Sequence, residues 1–557
     1  MDDLKGDANK ALARWRAHCN DLKSIWVAFI VAAGPRRLLK ILIIFIILSC
    51  SFLVFITFPK NLETTASEWI PYKNNPDPNS GLSTPVNRDR RFAFVIPATS
   101  PNPELCKTIV SALALGYPSP VIINWGVNHS DITKWHAGRN MPKIPGFVKY
   151  LDAVMHPDAH PSERLEEDDI VLLVDAYDVW FQLPPQVLLS RYHKINENAN
   201  ERLRKQWGRK EPMPMQQTVI AASGKRCTPD GPDAGVNLRC DNWPMSPLRK
   251  DLYGPRTEKK ASRFRTHRPR YINGGVYMGP AGDIRRLFRR AMEKMDTGIG
   301  HGFHWKSEQA IPGEVMGEQE TWRKWRRKHA LSDPDLGTLI GRDFEYHFGV
   351  DYGQDISIQT WWTKNPGGAF DGDFISFNNQ TDINRHSKAL GISPVRLKEL
   401  PKDIKDLPDP LAAIDEDGDW ADMPLYADFF TESVPVIIHH NGWKARRQTV
   451  WHRPWFHKRL RELLSAQLRT DGAVKPMADV ETKSGRIRYW GASAEATDRN
   501  PRRMNDTATE RLSSMEFKDI CRYPGLSSMS LPLSSSRVAQ NHWHEEVFRD
   551  NKGPIRE

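Results

Sequence analysis

A short apolar segment that ends in two carboxylates constrains the fold of this chain more than any other feature. Residues 170–174 read Ile-Val-Leu-Leu-Val, and Asp175 and Asp178 follow directly. A strand that is apolar on both faces is typical of the centre of a parallel sheet covered by helices on both sides. Such sheets bind their ligands at the carboxyl ends of the strands. The segment therefore predicts an α/β fold with two carboxylates at its ligand-binding edge.

The spacing of Asp175 and Asp178 has two interpretations. Two carboxylates at a rigid strand end supply hard oxygen ligands, which suit a divalent cation held against the phosphates of a substrate. A strand followed by a turn, in which Asp side chains accept hydrogen bonds from the backbone, uses the same residues. The spacing alone does not separate a metal site from a turn, so the rest of the chain has to decide.

Strand-like and helical segments alternate along most of the chain. The first three are a strand at 92–97, a helix at 103–115 and a strand at 121–125, which together predict a βαβ unit and hence parallel strands. Later segments continue the alternation: helices at 146–154 and 185–207, and strands at 218–222 and 434–438. We therefore expect a Rossmann-like, mainly parallel sheet flanked by helices over residues 92–468.

The N-terminal part of the chain predicts a membrane anchor. Residues 41–58 carry no charged side chain. At about 1.5 Å per residue they would cover roughly 27 Å of a hydrocarbon core about 30 Å thick. Arg36, Arg37 and Lys40 precede this run. The positive-inside rule then predicts a cytosolic segment at 1–37, a transmembrane signal anchor at 38–58 and a lumenal or extracellular remainder, as in a single-pass type II protein. The prolines of residues 59–91 predict a stem. The expected location is the Golgi or endoplasmic reticulum membrane.

Composition narrows the class of partner. The net charge is +11, but 79 basic residues are interleaved with 68 acidic ones. A solvated basic surface fits this pattern better than a nucleic-acid site does, so no nucleic-acid partner is expected.

Residues 469–557 are rich in Ser, Arg, Asp and Pro, which predicts a disordered tail. Cys227 and Cys240 enclose a Pro- and Gly-rich loop and could pair in an oxidising lumen. Three sequons are candidate glycosylation acceptors: Asn128, Asn379 and Asn505.

Two further polar clusters interrupt or follow apolar segments. One is Asn273-Gly274-Gly275, where paired glycines let the backbone approach a ligand closely, although a bulge or tight turn in a strand also needs them. The other is His439-His440-Asn441-Gly442-Trp443-Lys444, which follows the apolar run 434–438. Imidazole suits a transition-type divalent metal, and a lysine suits a phosphate. A histidine at a strand end is often no more than a polar residue that meets solvent.

Taken together, these clusters resemble the metal-dependent GT-A glycosyltransferases. They are most similar to the glycosyltransferase domain of the procollagen lysyl hydroxylase/glucosyltransferase family and its fungal type II membrane relatives, over roughly residues 92–464. The resemblance implies that Asp175, Asp178 and His439 hold Mn²⁺ or Mg²⁺ against the diphosphate of a nucleotide sugar, with a UDP-hexose as the favoured donor. It also implies that a further set of residues binds the donor, the first of them beside the base: Tyr177, Asn273, Gly274, Gly275, Asn441, Gly442 and Lys444.

The family resemblance also implies a carboxylate near the transferred sugar, just before a glutamine. Glu308-Gln309 and Glu318-Gln319-Glu320 both fit, and order along the chain favours Glu308 as the catalytic residue. Lys225-Arg226-Cys227 is similar to the stretch that follows the nucleotide strand in these enzymes. Two departures are that the Asn-Gly-Gly segment lacks the family's Ser and that the iron-dependent hydroxylase domain has no counterpart after residue 464. Collagen lysine is therefore not the expected acceptor.

The expected function is transfer of a hexose from a nucleotide sugar to a hydroxyl of a glycan, glycoprotein or other acceptor, by a membrane-anchored enzyme that could dimerise. Two alternatives stay open. One is a lumenal carbohydrate-binding protein that keeps the GT-A shell without catalysis, and the other is a nucleotide-sugar hydrolase. The sequence does not specify the donor sugar, the acceptor, or whether the anomeric configuration is inverted or retained.

Overall fold

The computed structural model describes residues 88–128, 140–209, 212–228, 237–259, 264–302, 307–329, 343–360, 370–442, 444–468, 475–492, 500–504, 511–523 and 542–554. The predicted cytosolic segment and transmembrane helix, and the predicted stem up to residue 87, lie outside these residues. Within the described ranges, no helix combines the length and the apolar character that a bilayer span requires.

The described chain alternates strands and helices for most of its length. The strands are β1 (Arg88–Pro97), β2 (Val121–Ile123), β3 (Ile170–Val174), β4 (Val179–Phe181), β5 (Val219–Gly224), β6 (Tyr271–Pro280), β7 (Phe348–Val350), β8 (Ser357–Gln359), β9 (Gly372–Ile375), β10 (Leu425–Asp428), β11 (Ile437–His439), β12 (Ala478–Thr482), β13 (Gly485–Gly491), β14 (Arg502–Arg503) and β15 (Ser513–Ser514). The α-helices are α1 (Pro103–Ala114), α2 (Lys143–Val154), α3 (Pro185–Trp207), α4 (Ala281–Gly300), α5 (Ala310–His329), α6 (Gln380–Ala389), α7 (Lys402–Lys405), α8 (Lys444–Val450), α9 (Leu460–Leu468), α10 (Phe517–Cys521) and α11 (Trp543–Val547). Short 3₁₀ helices lie at Cys240–Asn242, Gly254–Arg256, Ala412–Ile414 and Trp455–Arg459.

A central sheet organises these elements, in the order β15-β14-β2-β1-β3-β6-β5-β7. β1 runs parallel to β2 and β3, β14 runs parallel to β2, and β5 runs parallel to β7. β6 lies antiparallel between β3 and β5. The predicted α/β class with a mostly parallel central sheet is confirmed, and the antiparallel β6 is a feature that the alternation of elements did not predict.

Both faces of the sheet are buried, as the apolar pattern of β3 predicts. Phe92, Phe94 and Ile96 of β1 face one core, whereas Ala93 and Val95 face the other. Helices α1 and α3 cover the first core, and α2, α4 and α5 cover the second. Because helices cover both faces, ligands reach the sheet at the ends of its strands.

The residues at helix ends explain where several helices begin and stop. Asn102 accepts a hydrogen bond from the backbone N–H of Glu104, and Pro103 occupies the first turn of α1, where its missing N–H costs nothing. Gly208 ends α3 in the left-handed region, with φ of 62°, a conformation that glycine adopts without a steric penalty.

The prediction of a disordered tail from residue 469 is wrong for the tail residues that the structure describes. β13 pairs in parallel with residues 88–92 of β1 and antiparallel with β12, so the tail adds strands to the central sheet. Trp543, Val547 and Phe548 are buried in the first core. Cys521 forms a disulfide with Cys106 of α1. Residues 88–91, which the sequence predicts as the end of the stem, pair with β13 as part of β1, so this part of the prediction is wrong.

A small second sheet lies beside the central one. β11 pairs antiparallel with β4 and parallel with β8, in the order β4-β11-β8. In this register His439 pairs with Val179, and the N–H of His440 donates a hydrogen bond to the carbonyl of Asp178 at 2.6 Å. The small sheet therefore brings the end of β11 directly to the residues that follow β3.

Candidate active site

The carboxyl ends of β1, β2 and β3 open into a cleft of about 570 Å³. These three strands are parallel, so the residues that follow them meet at one edge of the sheet. The start of α2 forms another wall. The cleft is lined by Pro97, Thr99, Ser100, Asn102, Glu104, Asn124, Asn140, Pro142, Lys143, Asp175, Ala176, Tyr177, Asp178 and Arg447.

The structure brings together the three residues that the sequence predicts as metal ligands. His439 Nε2 lies 3.5 Å from Asp175 Oδ2 and 3.4 Å from Asp178 Oδ1. The three candidate ligand atoms lie within 4.8 Å of one another. His439 is 3% exposed, whereas the side chains of Asp175 and Asp178 are 21% and 24% exposed. The cluster therefore has a buried imidazole at its base and two carboxylates that reach the cleft.

A hydrogen bond that His439 donates to Asn273 orients the imidazole. His439 Nδ1 lies 2.9 Å from Asn273 Oδ1, while the Asn273 amide nitrogen donates to Gln359 Oε1 at 3.1 Å. Since the Asn273 oxygen is an acceptor, Nδ1 carries the proton and the lone pair of neutral His439 is on Nε2. His439 Nε2 is buried without a hydrogen-bond partner. A lone pair that faces two carboxylates in this way makes His439 a candidate metal ligand.

The paired glycines Gly274 and Gly275 in β6 make room for this arrangement. A Cβ on Gly275 would lie 2.2 Å from His439 Cε1 and 2.4 Å from Nδ1, so only a glycine lets the ring pack here. The carbonyl of Gly275 accepts a hydrogen bond from the N–H of Asp175 at 2.9 Å. The N–H of Gly274 donates to Gln309 Oε1 at 2.8 Å. The glycines thus lie inside a strand, where they permit close approach by a side chain.

Lys143, which was not predicted from the sequence, links the candidate metal ligand Asp175 to the predicted catalytic carboxylate of Glu308. Its Nζ forms an ion pair with Asp175 Oδ1 and another with Glu308 Oε1, the latter at 2.7 Å. All three side chains are largely buried: Lys143 is 14% exposed, Asp175 is 21% exposed and Glu308 is 10% exposed. Lys143 begins α2, and Glu308 lies just before α5, 165 residues further along the chain. Local sequence carries no signal for a contact between such distant residues.

Burial and charge pull the ionisable groups of the cluster in different directions. Burial, assisted by the negative charge of Asp178, raises the pKa of Asp175 above its ordinary value, although Lys143 opposes the shift. Burial also favours a higher pKa for Asp178, but the nearby positive charges of His439, Arg447 and Lys143 outweigh burial and lower this pKa to about 2. Burial favours a lower pKa for His439, but the negative charges of Asp178 and Asp175 outweigh burial and raise this pKa above its ordinary value. A cation bound here would replace the proton that these carboxylates favour on His439.

The remaining predicted donor-binding residues occupy different parts of the site. Tyr177 lines the cleft, and its hydroxyl donates to the carbonyl of Ser100 at 3.1 Å. Asn441 donates to Gln359 Oε1 at 3.0 Å, so Gln359 links it to Asn273. Gly442 is half-buried in the bend that follows. Lys444 begins α8, and its side chain lies outside the described residues.

The alternatives to Glu308 lie elsewhere. Glu318 pairs with Arg290 at 2.6 Å, and Glu320 is buried against Arg323 at 2.9 Å, both within the packing of α5. The structure thus places Glu308, and neither of the other two, beside the candidate metal ligands.

Lys225, in the stretch predicted to follow the nucleotide strand, is buried in an ion pair with Asp371 at 2.8 Å. Cys227, two residues further on, forms a disulfide with Cys240, the pairing that the sequence left open.

Comparison with known proteins adds a weak similarity. No family model and no curated protein matches the chain. Among solved structures, the chain is similar to the crystal structure of the galactosyltransferase LgtC in complex with donor and acceptor sugar analogues, at 13% sequence identity and a TM-score of 0.25. The match covers 69% of this chain and 97% of that one. A TM-score of this size supports no conclusion about function, which rests on the geometry of the site.

Proposed function

We propose that this protein is a metal-dependent glycosyltransferase of the GT-A type, which transfers a hexose from a nucleotide sugar to a hydroxyl acceptor. One observation carries the proposal. His439 Nε2 is buried without a hydrogen-bond partner and faces Asp175 and Asp178 at the carboxyl edge of a mostly parallel sheet, beside a cleft of about 570 Å³. Nucleotides bind α/β sheets at this edge, and the cleft is large enough for a ligand of that size.

The donor atoms fit a divalent cation of the Mn²⁺ or Mg²⁺ class. Two carboxylates are hard oxygen ligands, and one imidazole shifts the preference towards a transition-type ion such as Mn²⁺. The second nitrogen of the imidazole is held by Asn273, as ligating histidines require. When bound, such an ion would neutralise the diphosphate of the donor as that group departs.

Lys143 lines the cleft and links it to the carboxylate of Glu308. Glu308 Oε1 is held 2.7 Å from Lys143 Nζ, and Lys143 also contacts Asp175. Lys143 therefore fixes the carboxylate of Glu308 relative to the metal ligands. A carboxylate in this position would stabilise the positive charge that develops on the anomeric carbon or accept the proton of the acceptor hydroxyl. These two roles correspond to different stereochemical outcomes, which product analysis distinguishes.

We also propose that the catalytic part acts in the lumen of the secretory pathway, anchored by residues 38–58. Two disulfides, Cys106–Cys521 and Cys227–Cys240, support an oxidising compartment. A nucleotide sugar and a glycan or glycoprotein are the partners that this location and this site would require.

The test is release of nucleoside diphosphate by the purified protein from a panel of UDP- and GDP-sugars, with and without Mn²⁺, in the presence and absence of simple glycoside acceptors. We expect Mn²⁺-dependent release from one donor, stimulated by an acceptor, and loss of at least about 100-fold in Asp175→Asn and Asp178→Asn. Release that no acceptor stimulates, with free hexose as the product, would favour a nucleotide-sugar hydrolase. A folded protein that binds no nucleotide sugar in the panel would refute the proposal.

A further inference from the structure

A row of alternating charges leads from Asp178, one of the candidate metal ligands, to α11 in the C-terminal segment (residues 542–554). Arg447, on α8, lines the cleft and is 7% exposed. Its Nη1 lies 4.0 Å from Asp178 Oδ2, and its Nε lies 2.7 Å from Glu104 Oε2 on α1. Arg447 is thus held between a predicted metal ligand and a carboxylate of the first helix.

The row continues through a lysine that is fully buried. Lys107 is 0% exposed, and its Nζ lies 2.7 Å from Glu104 Oε1 and 2.7 Å from Glu546 Oε1. Glu546 belongs to α11, and its other oxygen accepts a hydrogen bond from the hydroxyl of Tyr523. In space, the order of the charged side chains is Asp178, Arg447, Glu104, Lys107 and Glu546, and each side chain is opposite in charge to the next.

The C-terminal segment is fixed against this row by other contacts. The indole N–H of Trp451 donates to the carbonyl of Val547 at 2.7 Å, and Lys107 Nζ lies 5.8 Å from the centre of the Trp451 ring. Asp550, which follows α11, pairs with Arg461 at 2.6 Å. Docking of α11 therefore places Glu546 against Lys107 and leaves Asp550 outside the row.

We propose that Glu546 is a positioning residue for donor binding, which keeps the Arg447 guanidinium in the cleft beside Asp178, where it would contact the diphosphate of the nucleotide. This inference rests on the proposed function. A buried lysine needs a full complement of opposite charge. Without the charge of Glu546, Lys107 would draw the Glu104 carboxylate towards itself. Arg447 would then lose its ion pair with Glu104.

The test compares Glu546→Gln with Asp550→Asn in the full chain. Binding of UDP, and of GDP as a second probe, is measured by titration calorimetry in saturating Mn²⁺, and binding of Mn²⁺ alone is measured separately. We expect Glu546→Gln to weaken nucleotide binding about threefold to tenfold, the size of effect that loss of one charge-assisted contact produces. Mn²⁺ affinity should change less than about twofold, and Asp550→Asn should leave both affinities unchanged.

A double variant separates positioning from general destabilisation. If Glu546 acts through Arg447, then Glu546→Gln adds no further loss of nucleotide affinity in an Arg447→Met background. Additive losses, equal losses in Asp550→Asn, or an unchanged nucleotide affinity in folded Glu546→Gln would overturn the proposal. Absence of nucleotide binding by the wild-type protein in Mn²⁺ would overturn the proposed function itself, and with it this inference.

Discussion

Replacing Gly275 by alanine tests whether the geometry of the candidate metal site depends on contact between β6 and His439. The new Cβ would lie 2.2 Å from His439 Cε1, so the ring would have to move by more than about 1 Å to reach an ordinary separation of about 3.5 Å. That movement breaks the 2.9 Å hydrogen bond between His439 and Asn273, which fixes the tautomer. Loss of such an orienting contact typically lowers metal affinity about 10- to 100-fold. We therefore expect Mn²⁺ binding by Gly275→Ala, followed by electron paramagnetic resonance, to weaken by at least about tenfold.

Gly300→Ala is the matched control. Gly300 ends α4, and a Cβ there would meet no atom within 4 Å. We expect this variant to bind Mn²⁺ as the wild type does and to be slightly more stable, because alanine favours the helix over glycine by up to about 1 kcal/mol. If Gly275→Ala folds and keeps wild-type Mn²⁺ affinity, then His439 is not held as a ligand by its packing on Gly275, and the argument for the site fails.

Two further predictions concern charged groups. Lys143→Met removes the cation shared by two buried carboxylates, so we expect the free energy of unfolding to fall by about 3 kcal/mol in chemical denaturation and hexose transfer to fall at least about 100-fold; a variant with wild-type values of both would contradict the role of Lys143. Burial, with help from the charge of Asp355, raises the pKa of Asp351 to about 7. The stability that protonated Asp351 contributes is therefore present below about pH 4 and lost as the pH rises to about 7, so the stability of the wild type relative to Asp351→Asn should fall by about 2–4 kcal/mol over that range. A difference in unfolding free energy that stays constant from pH 4 to pH 8 would rule this out.

Much of the fold could be predicted because apolar periodicity is a local property of the chain. The helix at 185–207 has the predicted bounds, and β3 lies buried on both faces at the predicted position. The candidate metal residues could be chosen in the same way, since Asp175 and Asp178 follow one apolar strand and His439 ends another. In each case the signal is a polar residue at the end of an apolar run.

The tail could not be predicted by the same reasoning. β13 has one buried residue, Tyr489, and its other residues are half-buried or exposed, although Ile487 and Tyr489 alternate with Arg486 and Arg488. Its place in the sheet depends on backbone pairing with β1, about 400 residues earlier, as the register of Trp490 with Arg91 shows. The polar average composition of residues 469–557 outweighs an alternation this short, which is why the tail was predicted as disordered.

Long-range ion pairs were missed for a related reason. Lys143 and Glu308 are 165 residues apart, and Lys107 and Glu546 are 439 residues apart. A lysine in an amphipathic segment is ordinarily solvated, so neither lysine is distinctive in the sequence. What makes them notable is burial, which only the folded chain reveals. The residues that tune the candidate site are thus less predictable than the residues that form it.

The adjacent pair His439-His440 shows how strand pairing selects one ligand from two similar residues. His439 ends β11 and points its free nitrogen at the carboxylates, whereas the His440 ring packs on Trp180 with centroids 4.0 Å apart. Burial and the charges of nearby arginines lower the pKa of His440 well below its ordinary value, so it is a neutral core residue.

We therefore expect His440→Phe, which keeps an aromatic ring at this position, to keep Mn²⁺ affinity within about threefold, and His439→Phe to lose Mn²⁺ binding. Equal losses in the two variants would mean that both imidazoles contribute to the metal site. Retained binding in His439→Phe would remove this residue from the ligand set. Only a loss confined to His439→Phe agrees with the β4-β11 register, because a shift of that register by one residue would exchange the positions of the two rings.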